Sequence, residues 1–495
     1  MINELCSRIW DRQEFHLDKK LLIHEGIKRS IRVESPNTCL EILPRLLQCA
    51  THFSLSDNLE HRKAAYEIAV SAWKICTTSI SKDEISINQI GQAIALILTR
   101  LGNFPTESFL KKQLTEDLAN DLTASLWLEQ EFHREENTVE VADNNYLVLT
   151  DFQLKLWRAL NNYQVVVVNA PTSAGKSFAL QNFLSSIFAQ GKIKRAVYLV
   201  PTRALISQVQ ETMGILTRHH LKLDIQLSEV PFDPAPEDKV LFILTQERLQ
   251  ILLDRTTHNI EFIVVDEAQN ITDTSRGIIL QSVIERVREI NPTAKILFGS
   301  PFTQNPEIFA NTFGIPENHV KIINTEESPV AQNLIHINID KYKPQYARIF
   351  TIDNDYYTQD QLSIINFGTD LVKEEQTLAH VSYSLGGNAL NIIYGSEPVK
   401  CEKIAGMISD IISNDHDLKT PDPDLIEFSK FTKQHIHREF SLSGFIEKGV
   451  AYHYGNLPAF LRKGLERLFS EGKVSFIVCT STLLQGVNLP AQIFF

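Results

Sequence analysis

The segment Gln164-Val-Val-Val-Val-Asn-Ala-Pro-Thr-Ser-Ala-Gly-Lys-Ser177 passes from a run of valines through a short loop into a helix-forming stretch. Ala170, Pro171, Thr172, Ser173, Ala174, Gly175, Lys176 and Ser177 stand where a phosphate-binding loop belongs, between strand and helix. Backbone N–H groups of such a loop wrap phosphates, and the helix N-terminus adds a favourable dipole. In this reading Lys176 neutralises the β- and γ-phosphates of ATP and Ser177 holds Mg²⁺. Ala170 replaces the usual first glycine, and a loop this short arises by chance too often to decide a function alone.

About ninety residues on, Phe262-Ile-Val-Val-Asp-Glu-Ala-Gln269 reads as an apolar strand ending in two carboxylates. Asp266 is expected to coordinate Mg²⁺, and Glu267 to orient and deprotonate an attacking water. A strand can end in acidic surface residues for no catalytic reason. Paired with a phosphate loop at this separation, the same residues describe an ATP hydrolase. Around them, Gln164–Asn169, Arg195–Val200, Leu223–Leu227, Val240–Leu244, Phe262–Val265 and Ile296–Gly299 read as strands, and helical stretches such as Lys176–Gln190, Ala204–His219 and Arg276–Ile290 separate most of them. That alternation predicts an α/β fold with a parallel sheet covered on both faces.

The flanks differ. Residues 1–135 read as a helical accessory domain: Ala65, Ile68, Ala69, Ala72, Trp73 and Cys76 recur at helical spacing, and Gly102 follows an apolar helix over Ile90–Leu101. The polar stretch 136–145 reads as a linker, 146–312 as the first lobe and 313–495 as a second α/β lobe with strands at Ala389–Tyr394 and Val474–Cys479. Residues 345–385 and 413–445 lack periodicity and read as insertions. Asp415, His416, Asp417, Asp422 and Asp424 lie beside Pro421 and Pro423 and read as a solvated turn before a metal site. No CxxC pair occurs among the six cysteines, which suits free thiols in a reducing cytoplasm. Glu4, Arg8 and Asp11 occupy the place of a leader's apolar run, and no apolar stretch has the length of a membrane span. A net charge of −12 argues against coating nucleic acid by bulk attraction, while leaving room for a groove that grips one strand through amides and hydroxyls.

Asp266-Glu-Ala-Gln269 resembles motif II of the superfamily 2 helicases, and the phosphate loop resembles motif I of their Ski2-like branch, especially the DNA-acting Hel308 and polymerase-theta types. Further motifs follow in order. Leu149-Thr-Asp-Phe-Gln153 resembles a Q-motif, which implies that Gln153 reads adenine. Val200-Pro-Thr-Arg-Ala-Leu205 is similar to motif Ia, and Leu244-Thr-Gln-Glu-Arg-Leu249 to a strand-contacting motif. Gly299-Ser-Pro-Phe302 stands at motif III and Ile392-Ile-Tyr-Gly-Ser396 at motif IV. Gly449-Val-Ala-Tyr-His-Tyr-Gly-Asn-Leu-Pro458 and Cys479-Thr-Ser-Thr-Leu-Leu-Gln-Gly-Val-Asn-Leu-Pro-Ala491 resemble the second lobe through motif V. The resemblance, over residues 146–495, implies two RecA-like P-loop lobes. It implies nucleic-acid contacts from Pro201, Thr202, Arg203, Thr245, Arg248, Ser396 and Thr480, and nucleotide sensing by Gly486 and Asn488. Hydroxyls at strand-to-loop junctions suit phosphate contacts, although any one of these threonines reads equally as an N-cap or turn residue.

The chain departs from the family pattern in four places. Gln269 replaces a histidine, so it can hydrogen-bond across the cleft but cannot titrate near neutral pH. In motif III, Pro301 removes an amide and Phe302 a hydroxyl, and motif IV is weak. The sequence stops at Phe495 before any motif VI, the family's source of an arginine finger, so the reading expects a longer polypeptide that completes the second lobe. The resemblance implies an ATP- and Mg²⁺-dependent helicase or translocase moving 3′ to 5′ on single-stranded or tailed duplex DNA. RNA remains an alternative substrate. A rival reading is a nucleic-acid-gated sensor that restrains an effector such as a nuclease subunit, as in the Hachiman anti-phage system. A P-loop ATPase that never touches nucleic acid would leave the second-lobe match unexplained.

Overall fold

The computed structural model describes residues 2–33, 39–79, 84–113, 123–255, 259–272, 274–301, 303–325, 330–352, 359–387, 389–414, 422–484 and 489–495. The chain divides into two compact units. The first is Met1–Leu22 with Cys39–Ala331, and the second is Ile23–Thr38 with Gln332–Phe495. Among the described residues, no helix is long and apolar enough to cross a membrane.

Between Ile2 and Glu136 seven helices are described, of which Gln13–Ser30 is shared between the two units. Their core follows the helical spacing of the sequence: Ala65, Ile68, Ala69, Ala72 and Cys76 from one helix meet Leu46, Ala50, Phe53 and Ile97 from its neighbours. The stretch expected as a linker is instead a two-stranded antiparallel hairpin, β1 (Thr138–Ala142) with β2 (Asn145–Val148). Asn144 turns it at φ 59°, and its alternating apolar residues explain the difference. Val141 is buried and Val139 and Leu147 half-buried against the core of the sheet that follows.

That sheet has seven parallel strands: β3 (Val165–Asn169), β4 (Arg195–Leu199), β5 (Gln226–Ser228), β6 (Val240–Leu244), β7 (Phe262–Val265), β8 (Lys295–Ser300) and β9 (Val320–Asn324), in the order β5-β6-β4-β7-β8-β3-β9. β9 pairs with β3, so the first sheet extends past the expected boundary at residue 312. Alternate residues feed different cores. Val166, Val168 and Tyr198 face one cluster, and Val165, Val167 and Val197 face the other. Burial on both faces explains the nearly continuous apolar runs, and it directs the ligand-facing loops to the carboxyl ends of the strands.

The second unit holds two sheets. β10 (Leu334–Ile339), β11 (Tyr346–Ile352) and β12 (Gln359–Asn366) form an antiparallel meander, whose second and third strands lie in the stretch expected as an insertion. Ile27 and Ile31, at the end of the Gln13–Ser30 helix, are buried with Ile349, Leu362, Val381 and Leu385 against this meander. β13 (Asn391–Tyr394), β14 (Val450–His453), β15 (Phe476–Cys479) and β16 (Ile493–Phe494) form a parallel sheet ordered β14-β15-β13-β16. Asp422 caps the Pro423–His435 helix by accepting from the Asp424 amide at 2.9 Å, while Asp415, His416 and Asp417 lie outside the described residues. Among the described residues no cluster of His, Cys, Asp or Glu is arranged to hold a metal ion.

Candidate active site

The loop from β3 to the Lys176–Ala189 helix makes a 3₁₀ turn over Thr172–Ala174 and then bends through Gly175 at φ 77°. Only glycine suits this position. Its φ lies in the left-handed region, and a Cβ there would stand 2.4 Å from Nε2 of Gln153. Lys176 is buried and donates to the Ala170 carbonyl and, at 3.3 Å, to that of Ser300. Burial pulls its pKa down, while the negative charges of Asp266 and Glu267 oppose that shift.

Gln153 lies beside the loop in a capping box that starts the Asp151–Asn162 helix. Its amide donates to the Thr150 hydroxyl at 3.2 Å, and its side-chain carbonyl accepts from the Thr150 amide at 3.0 Å. Nε2 donates to the Gly175 carbonyl at 3.4 Å. This carboxamide therefore braces the phosphate loop, a structural duty that the Q-motif resemblance did not suggest. Asp151, beside it, accepts from Arg62 at 3.2 Å and Asn137 at 3.0 Å, which ties the segment to the helical region.

Asp266 follows β7 and is partly buried among site residues. One carboxylate oxygen accepts from the Tyr198 hydroxyl at 3.2 Å, and the other from the Glu267 amide at 3.1 Å. Burial, reinforced by the charge of Glu267, pushes its pKa up to about 6 from 3.8. A carboxylate this reluctant to ionise is suited to a cation. Together with the Ser177 hydroxyl, which also hydrogen-bonds Tyr198, it gives the hard oxygen donors that Mg²⁺ requires. Glu267 has φ 55°, an uncommon backbone state for a side-chain-bearing residue and one that clusters at functional sites. Gln269 Nε2 donates to its carboxylate at 2.5 Å, so the residue in the histidine's place here contacts the expected base.

Motif III keeps more hydroxyl chemistry than its wording suggested. Phe302 lies outside the described residues, but Thr303 places its hydroxyl 2.5 Å from that of Ser300. Asn169, at the end of β3, grips Thr303 through both backbone groups, at 3.0 Å to the carbonyl and 2.8 Å from the amide. The signal was the threonine one position beyond the expected motif.

Register brings the remaining first-unit residues to one edge. Leu199 of β4 pairs with Leu244 of β6 and Val265 of β7, so Pro201, Thr202, Thr245 and Asp266 all follow the carboxyl ends of neighbouring strands. Thr202 caps the Arg203–Gly214 helix, accepting from the Leu205 amide at 3.5 Å, as the plainer reading of that threonine allowed. The Arg203 side chain lies outside the described set. Arg248 donates to the Glu229 carbonyl at 2.6 Å. In the second unit, Ser396 is exposed beyond β13 and Thr480 is nearly buried beyond β15, on adjacent parallel strands. Gly486 and Asn488 lie outside the described residues. Tyr198 and Arg276 escaped the motif reading. Arg276 donates to the Pro201 carbonyl at 2.7 Å and to Glu247 at 3.1 Å.

Residues 150–306 match the DEAD/DEAH box helicase family. The chain is 26% identical over 367 residues to the ATP-dependent DNA helicase Hel308 of Thermoplasma volcanium, covering 72% of this chain and 48% of that protein. It is 24% identical over 406 residues to Anti-bacteriophage protein B of Escherichia coli strain K12, covering 80% and 47%. A solved structure of the DUF1998 helicase MrfA bound to DNA is similar over 72% of this chain and 45% of that one, with 15% identity and a TM-score of 0.48. Residues 150–306 thus carry a DEAD/DEAH box helicase domain. Over a stretch that extends outside that domain, the chain is similar to the Hel308 proteins at about a quarter identity. It spans about half the length of the curated relatives it matches.

Proposed function

We propose that this chain is the motor portion of an ATP-dependent DNA helicase or translocase acting in the 3′-to-5′ direction. The observation that carries the reading is the convergence of Lys176, Asp266, Glu267 and Gln269 on one phosphate loop at the carboxyl edge of the sheet. In this mechanism Lys176 leaves the Ala170 and Ser300 carbonyls for the β- and γ-phosphates. Ser177 and Asp266 would hold Mg²⁺, which would supply neutralisation of the phosphate charge. Glu267 takes a proton from the attacking water, and Gln269 fixes the carboxylate by its hydrogen bond. Thr202 and Thr245 of the first unit, and Ser396 and Thr480 of the second, each contact strand phosphates, a grip that positions without reading sequence. DNA is favoured by the Hel308 relatives.

The test is ATP turnover by the complete polypeptide with single-stranded DNA, single-stranded RNA or neither. Stimulation by DNA supports the reading, preferential stimulation by RNA transfers it to RNA, and indifference to both removes it. The match to an anti-bacteriophage protein over 80% of the chain favours a second reading, in which nucleic-acid-gated turnover controls a defence effector such as a nuclease. Stimulated hydrolysis without unwinding of tailed duplexes would favour that reading.

A further inference from the structure

Three segments leave the first unit's sheet at its carboxyl edge: the loops after β4 and β6, and the turn after β7 that leads into the Thr274–Ile290 helix. Arg276 joins all three. Its Nη2 donates to the Pro201 carbonyl at 2.7 Å and its Nε to Glu247 at 3.1 Å. Burial alone would raise the pKa of Glu247, but the Thr245 hydroxyl, its own amide and Arg276 together hold it below the usual carboxylate range. Thus Pro201, Arg276, Glu247 and Thr245 form one chain of contacts.

The backbone of Arg276 is fixed from the other side by its neighbour. A Cβ on Gly277 would stand 2.0 Å from the Ile271 carbonyl oxygen, so a glycine is needed for the helix to start against the turn that follows Glu267. A guanidinium suits this place because its planar fork reaches two acceptors at once, which an ammonium does less well. Glu247 presents the opposite problem. An uncompensated carboxylate two residues from Thr245 would repel a phosphate.

We propose that Arg276 is a positioning residue for single-stranded nucleic acid: by neutralising Glu247 and holding the Pro201 carbonyl, it removes a negative charge that would repel a phosphate at Thr245 and ties that grip to the segment bearing Glu267. The proposal rests on the motor reading above. Arg276 acts through Glu247, so removing the arginine harms binding chiefly by leaving that carboxylate exposed. Removing both side chains then restores much of the affinity.

The test uses the full chain and two titrations: a fluorescein-labelled single-stranded oligothymidylate followed by anisotropy, and a fluorescent ATP analogue. Arg276→Ala is expected to weaken oligonucleotide binding about tenfold. The Arg276→Ala/Glu247→Ala pair is expected to return to within about threefold of the unsubstituted chain, a coupling of the size that contacting residues show. Arg276→Lys falls between them, and the affinity for the ATP analogue stays unchanged throughout. Unchanged oligonucleotide binding in Arg276→Ala overturns the proposal. So does a double variant as weak as the single one, which would mean a direct arginine–phosphate contact. Parallel loss of ATP-analogue binding would show a merely structural role and also overturn it. An unsubstituted chain that holds the ATP analogue but no oligonucleotide sinks the motor reading itself, a different failure.

Discussion

The hydroxyl of Tyr198 lies 3.2 Å from a carboxylate oxygen of Asp266, and none of that tyrosine reaches solvent. The same hydroxyl contacts Ser177, so one buried phenol touches both expected Mg²⁺ ligands. Its ring belongs to the core cluster that also holds Val166, Val168 and Val264. Tyr198→Phe keeps the ring and removes the donor. Nucleotide binding by this variant should require more Mg²⁺ than the unsubstituted chain. The variant should lose about 1 kcal/mol of stability, the usual value of a buried hydrogen bond. Titration of Mg²⁺ against a fluorescent ATP analogue, with urea unfolding alongside, checks both.

Asp266 also predicts a pH dependence. Its folded pKa of about 6 lies above the 3.8 of the free side chain, so the folded protein binds the extra proton more readily than the unfolded one. Stability from this group is therefore greatest near pH 4 and lost as pH rises towards 6, levelling off above. A shift of this size corresponds to about 3 kcal/mol at most. In EDTA, the stability gain of Asp266→Asn over the unsubstituted protein should grow across that window and then stay constant. A gain that shrank with rising pH would contradict the raised pKa of Asp266.

Glu267 separates stability from activity. Its left-handed backbone costs a non-glycine residue about 1 kcal/mol. Glu267→Gly should therefore unfold at higher denaturant concentration yet hydrolyse no ATP. Glu267→Gln should match the unsubstituted stability, bind ATP and fail to turn it over. Normal turnover by Glu267→Gln would remove this residue from the role of base.

Gly175→Ala should fail for two reasons, the positive φ and the Gln153 carboxamide 2.4 Å from the added carbon. Combining it with Gln153→Ala removes the collision and leaves the backbone cost. The double variant should recover part of the nucleotide affinity that Gly175→Ala loses. Affinity for the ATP analogue, measured for both variants, distinguishes collision from backbone strain.

Much of this site was legible because its chemistry is local in sequence. A phosphate loop and a strand ending in two carboxylates need fixed short spacings, so Lys176, Asp266 and Glu267 announce themselves. Tyr198 does not, because a buried tyrosine in an apolar strand looks like core until the register of β4 and β7 brings it to Asp266. Arg276 stands on a helix well away from Pro201 in sequence, and only the adjacency of β6, β4 and β7 explains its partners. The hairpin at Thr138–Val148 was misread because Glu140, Asp143 and Asn144 suggest a solvated linker. The alternation that buries Val141 is only a few residues long.

Replacing Ile27 or Ile31 with alanine should destabilise the β10–β12 meander by about 2–5 kcal/mol, the range for large core aliphatics. Hydrogen exchange should rise first in Tyr346–Ile352, which carries the fully buried Ile349.

The position of those two isoleucines also constrains how the protein is made. About 300 residues separate Val33 from Leu334, the first residue of the meander they cover. At ordinary synthesis rates that interval lasts roughly 15–60 s. During it, the end of the Gln13–Ser30 helix lacks the meander that covers Ile27 and Ile31, while Cys39–Ala331 of the first unit is translated. The second unit thus joins two segments made far apart in time, and its earlier segment stays without these partners until the later one emerges.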